Sequence, residues 1–160
     1  MIMMFTTEAT MRKWMFILAL AWAASPALAK PVDTTPAVNK ESADFVAGKK
    51  AIERKDWKAA VESLKKAEKE LPGNADLHNY LGYAYRHLGD LDNSFAHYKE
   101  ALRIDPRHRG AHEYIGQAYL KAGQPEKAAE HLAELEKICG KDCEEYRDLS
   151  RAIANYAKSK

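Results

Sequence analysis

Two cysteines and six histidines are the side chains of this sequence with the widest choice of chemistry. Cys139 and Cys143 stand four positions apart in KICGKDCEEY, beside Asp142, Glu144 and Glu145. Such a pair can be a structural disulfide, a reactive thiol at a helix start, or two thiolate ligands for a soft metal such as Cu(I). No histidine lies inside the motif, and His131 is two turns upstream. His108 and His112 have the i,i+4 spacing of a helical metal pair, but Arg107 and Arg109 flank His108 and their charge disfavours a cation. No metal site is therefore expected. Gly-rich phosphate loops, zinc-protease motifs and nucleophile elbows are all missing, so neither a catalytic residue nor a cofactor is expected.

The compartment bears on the cysteines. Arg12 and Lys13 precede the apolar run WMFILALAWAA (14–24), and small residues follow at Ala27 and Ala29. This is the pattern of a secretory signal, residues 1–29, with cleavage after Ala29. Glu8 is out of place in it, and a start at Met11 gives a cleaner signal. The run is shorter than the ~20 residues that span a bilayer. The mature chain is thus expected to be periplasmic or secreted, with no membrane contact after cleavage. In that setting two cysteines flanking a tight turn oxidise to each other, and closing so short a loop adds about 2 kcal/mol.

The chain is 160 residues long, enough for one domain with a real core. Its formal net charge of only +2 offers no field for a polyanion, which argues against nucleic acid as a partner.

The elements that must position these residues are helical. Residues 30–41, KPVDTTPAVNKE, carry two prolines and no apolar period, and are expected to be a flexible leader. Beyond them, HNYLGYAYRHLGDLDNSFAHY (78–98) aligns with HEYIGQAYLKAGQPEKAAEHL (112–132) at an offset of 34. A weaker copy carries Gly48, Ala60, Ala67 and Pro72 at the same offset. Each copy divides into two helices, giving expected spans of 42–55, 57–71, 75–88, 91–104, 109–122 and 125–138, then a seventh over 143–157. Asp56 and Asp90 suit N-caps, Pro125 a first helical position, and Gly73, Gly89, Gly123 and Gly140 helix ends. Asp142 and Glu145 have capping-box spacing for the last helix. There Tyr146, Leu149, Ile153 and Tyr156 form one apolar stripe. His78/His112 and His97/His131 recur because the unit recurs, so they are expected to fill equivalent packing slots.

These units resemble tetratricopeptide repeats. The motif residues are Leu81-Gly82, Tyr85, Ser94, Tyr98, Ala101 and Pro106 in the second unit, and Ile115-Gly116, Tyr119, Ala128 and Leu132 in the third. The third departs with Leu135 and Gly140, and the first replaces its aromatics with Asp44 and Ala51. The resemblance implies an all-α fold, a right-handed superhelix of three repeats (41–74, 75–108 and 109–142) with residues 143–160 as capping helix and tail. Gly82 and Gly116 then let the paired helix approach closely, against small residues such as Ala60, Ser94 and Ala128, with Leu64, Tyr98 and Leu132 filling the seam.

The resemblance also implies a concave groove lined by the first helix of each repeat. Its positions fall on Phe45, Lys49 and Ile52, on Asp76, Asn79, Tyr83 and Arg86, and on Glu113, Gln117 and Leu120. Tyr83 and Phe45 would be apolar anchors, and Asn79, Gln117 and Arg86 partners for a peptide backbone or carboxylate. One subclass of the family clamps C-terminal carboxylates, but here those positions hold Phe45, Lys49, Tyr80, Gly110 and Tyr114, so that clamp is not expected. The basic turn RIDPRHRG (103–110) is expected to be a solvated connection. The expected function is a non-enzymatic scaffold holding a segment of another protein. The alternatives are metal or thiol handling by Cys139 and Cys143, and a self-associating subunit.

Overall fold

The computed structural model describes residues 42–160. The expected signal segment and leader lie outside the described residues. Seven helices follow in order: α1 (Ala43–Glu53), α2 (Trp57–Glu70), α3 (Ala75–Leu88), α4 (Leu91–Ile104), α5 (Arg109–Lys121), α6 (Pro125–Cys139) and α7 (Glu144–Lys158). No strand occurs among the described residues.

The helix starts are fixed by side chains that satisfy the orphan N–H groups of the first turn. Asp56 accepts from the Ala59 N–H at 3.2 Å, Asn74 from Leu77 at 2.9 Å, and Asp90 from Asn93 at 3.1 Å. His108 sits before α5, its Nδ1 accepting from the Ala111 N–H at 3.1 Å, and Pro125 opens α6. The capping box expected at α7 does not form. Cys143 occupies the cap position and no side chain bonds there. Asp142 is left one residue outside, and Glu145 turns instead to Arg109, 3.4 Å away.

Helices pair as α1/α2, α3/α4 and α5/α6, and the pairs stack into a right-handed superhelix capped by α7. The seams are dry. A Cβ on Gly82 would lie 2.6 Å from the Tyr98 ring, and one on Gly48 would lie 2.6 Å from the Leu64 side chain. Tyr98 and Leu64 have no exposed surface. The Ser94 hydroxyl donates to the Gly82 carbonyl at 2.8 Å, tying the two helices at their closest approach. Gly116 departs from the expected scheme. The side chain seated over it is Leu149 of α7, 2.6 Å from where a Cβ would stand, while Leu132 remains half-buried. The cap therefore inserts its knob into the hole of the last repeat.

Candidate functional site

The first helices α1, α3 and α5 carry all the expected groove residues, and their stacking decides which stay open. Phe45, Asn79, Glu113 and Leu120 are buried, so they form the floor of the concave face rather than an exposed lining. Phe45 is covered by Tyr80, edge-on with centroids 5.8 Å apart, and by Lys49, whose Nζ lies 4.9 Å from the ring centre. Ile52 packs on the core, and Asp76 is exposed. Lys49, Tyr83, Arg86 and Gln117 are half-buried.

Two zones of opposite character result. In the first, Tyr83 meets Tyr114 (4.9 Å), His87 (4.5 Å) and Trp57 (5.9 Å), and Trp57 stacks on His87 at 4.1 Å. The Arg86 guanidinium lies over both Tyr83 and Tyr114, at 5.2 and 5.8 Å, within cation–π range. Burial, with Arg86 beside it, pulls the His87 pKa below the usual imidazole value. Trp57 and His87 were not anticipated, because they belong to helix faces outside the groove pattern.

The second zone is a pocket of about 260 Å³ lined by Asp76, Asn79, Tyr80, Gly110, Glu113, Tyr114, Glu144, Glu145 and Asp148. Glu113 is its deepest acid, 7% exposed, and accepts from Gln117 Nε2 at 2.8 Å. Burial, reinforced by Asp148, Glu145 and Glu144 and opposed by Arg86, pushes its carboxyl up to about 7. Burial and Glu113 also push the Tyr114 phenol up to about 12. Two cations partly balance the acids, Arg109 and Arg151 lying 3.4 Å from Glu145 and Asp148, and His108 Nε2 lies 3.1 Å from Asp76. Asn79 is 6% exposed, and among the described residues nothing meets its Oδ1. A Cβ on Gly110 would stand 3.3 Å from Asn79 Nδ2, so the glycine keeps this corner clear. The acids of α7 were not anticipated as part of a pocket, because the sequence points only to a capping role for Glu145. Their i, i+1, i+4 spacing was the available signal.

The histidines do pair. His78 and His97 face each other through Nδ1 atoms 3.2 Å apart, and His112 and His131 do so at 2.9 Å. In both pairs the first histidine directs Nε2 at a backbone carbonyl, of Pro72 (3.0 Å) or Pro106 (3.1 Å). Tyr85 stacks on His97, and Tyr119 on His131. The pairs are not equivalent in their surroundings, because Glu68 Oε1 stands 3.8 Å from both His78 Nδ1 and His97 Nδ1. His108 and His112 do not converge: one caps α5 and the other belongs to the second pair.

Cys139 and Cys143 lie with Cα atoms 5.9 Å apart, inside the range of a disulfide, and the Glu145 carboxylate is within 4.8 Å of both sulfurs. The basic turn is internally engaged: Arg107 Nη2 donates to the Ile138 carbonyl at 3.3 Å and Arg109 faces Glu145.

Two models of the tetratricopeptide repeat match the sequence, over residues 45–109 and 87–153. The chain belongs to the tetratricopeptide repeat family. No curated protein matches it. Among solved structures it is similar to the TPR2B domain of yeast Sti1 in complex with pHsp70, with TM-score 0.67 and 18% identity over 73% of this chain and 95% of that one. The TPR domain of Arabidopsis OM64 gives 0.65 and 19%, covering 73% and 93%. The first TPR domain of human RPAP3 gives 0.62 and 18%, covering 73% and 94%. At these identities the likeness is one of fold. No helix among the described residues is long and apolar enough to cross a membrane.

Proposed function

We propose that the chain is a non-enzymatic scaffold, exported to the periplasm, that holds a segment of a partner protein on its concave face through a lysine or arginine side chain. The observation that carries this reading is the acidic pocket with Asn79 at its corner. A buried acceptor without a donor costs free energy, and a cationic N–H group is what would satisfy it. Glu113, whose carboxyl is pushed up to about 7 by burial and then by its acidic neighbours, is drawn towards the charged form when a cation enters. Tyr80 and Tyr114 add ring faces for the same cation.

The test uses synthetic peptides differing only in a central Lys, Arg, Gln or Glu, followed by NMR. Lys and Arg peptides should shift the Asn79 side-chain amide and the Tyr114 ring signals, and the Glu113→Gln/Asp148→Asn double variant should lose the response. Equal or tighter binding of the Glu peptide would overturn the reading. Export is tested separately, by fractionation and by sequencing the mature N-terminus for a start at Lys30.

A second reading, metal or thiol handling, is favoured by the closeness of Cys139, Cys143 and Glu145. Our preferred reading makes the cysteines a staple between α6 and α7. Thiol titration separates the two: free thiols that take up Cu(I) support handling, and their absence supports the staple.

A further inference from the structure

We propose that Glu68, His78 and His97 form a binding site for one zinc-type divalent cation. It shares no residue with the cysteine pair or with the concave pocket. The three residues come from α2, α3 and α4, so the ion would join the first repeat to the second.

The geometry is that of a ligand set. A tetrahedral ion with bonds of about 2.0–2.1 Å holds its donor atoms about 3.3 Å apart. Here the two Nδ1 atoms are 3.2 Å apart and Glu68 Oε1 is 3.8 Å from each. A carbonyl only accepts, so the Pro72 oxygen fixes the His78 proton on Nε2, and the Nδ1 lone pair faces the other donors. This outer hydrogen bond is the device that orients ligating histidines. Lys65 holds Glu68 by its other oxygen, Oε2, at 2.6 Å, which leaves Oε1 turned inward. Tyr85 stacks on the His97 ring at 5.5 Å and fixes its plane. The site opens onto a cavity of about 440 Å³ bounded also by Pro72, Ala96 and Glu100, which leaves room for a water or a fourth ligand.

The chain carries its own reference. His112 and His131 repeat the pairing, the carbonyl contact and the stacked tyrosine, but the position 34 residues after Glu68 is Leu102. Packing accounts for what the two pairs share. The carboxylate is what the first pair adds, and it converts a histidine contact into three convergent donors.

The test is titration of untagged, chelator-treated protein with Zn²⁺ by calorimetry, and with Co²⁺ by visible absorption. One equivalent should bind, with tetrahedral Co²⁺ intensity, and Zn²⁺ should raise the melting temperature. Glu68→Gln, an isosteric change at a partly exposed side chain, should weaken binding about tenfold or more and cancel the thermal shift. His131→Gln should leave binding unchanged. No binding, equal weakening by His131→Gln, or binding that vanishes with Cys139→Ser rather than Glu68→Gln would each overturn the proposal. None of these outcomes depends on the peptide titration.

Discussion

Leu149 of α7 fills the hollow left by the missing side chain of Gly116 on α5, where a Cβ would meet its methyl carbons at 2.6 and 2.7 Å. The cap is thus held by a knob in a hole rather than by its apolar stripe alone. Leu149→Ala should empty a fully buried site and cost about 2–5 kcal/mol. Gly116→Val should overpack the same contact and cost about 1–3 kcal/mol or more. Urea unfolding checks both, and a loss under 1 kcal/mol for Leu149→Ala would mean that α7 is not integral to the fold.

Lys55 occupies the turn between α1 and α2 with φ of 59°, the left-handed region. Its counterparts one and two repeats on are Gly89 and Gly123, with φ of 83° and 73°. A side chain in this conformation costs about 1–2 kcal/mol, part of which glycine returns as unfolded-state entropy. Lys55→Gly should therefore stabilise the protein by about 0.5–1 kcal/mol. Thermal melts would show it, and a loss of stability would point to an unrecognised contact of the lysine.

Helices and seams were legible because they rest on local rules repeated three times. Asp56 and Asp90 cap as their types and positions require, and Gly82 and Ser94 meet because one unit contains both. What the sequence hid depends on contacts between units. Phe45 and Asn79 have groove spacing, yet the stacking of first helices buries them. Glu145 has capping spacing, yet Arg109 of another helix takes it. Glu68 is one repeat upstream of the histidines it faces, so no pattern within a repeat could associate them.

Glu113 sets a pH dependence of one sign. Its folded-state pKa is about 7, against an ordinary value of 4.5, so between those values the folded state holds more proton than the unfolded. Stability from this group is full below about 4.5 and falls as pH rises towards 7. Glu113→Gln keeps the bond from Gln117 and removes the charge. It should flatten this slope and raise stability at pH 8 by about 1–3 kcal/mol. Urea denaturation at pH 5 and pH 8 measures the difference, and an unchanged slope in the variant would place the titration elsewhere.

His131 sets a dependence of the other sign. Burial, with His112 against it, lowers its pKa to about 4, opposed only by Glu134. Its Nδ1 faces the His112 Nδ1 atom at 2.9 Å, and its ring stacks on Tyr119. Between pH 6.5 and 4 the unfolded state binds the extra proton. Stability from this group is therefore present above 6.5 and lost as pH falls towards 4. His131→Gln offers no proton site and should reduce the acid-side loss by about 1–3 kcal/mol, at some cost in packing at neutral pH. The check is the difference between parent and variant at pH 4.5 relative to pH 7.5. A parallel decline in both would assign the acid sensitivity to carboxylates held in ion pairs instead.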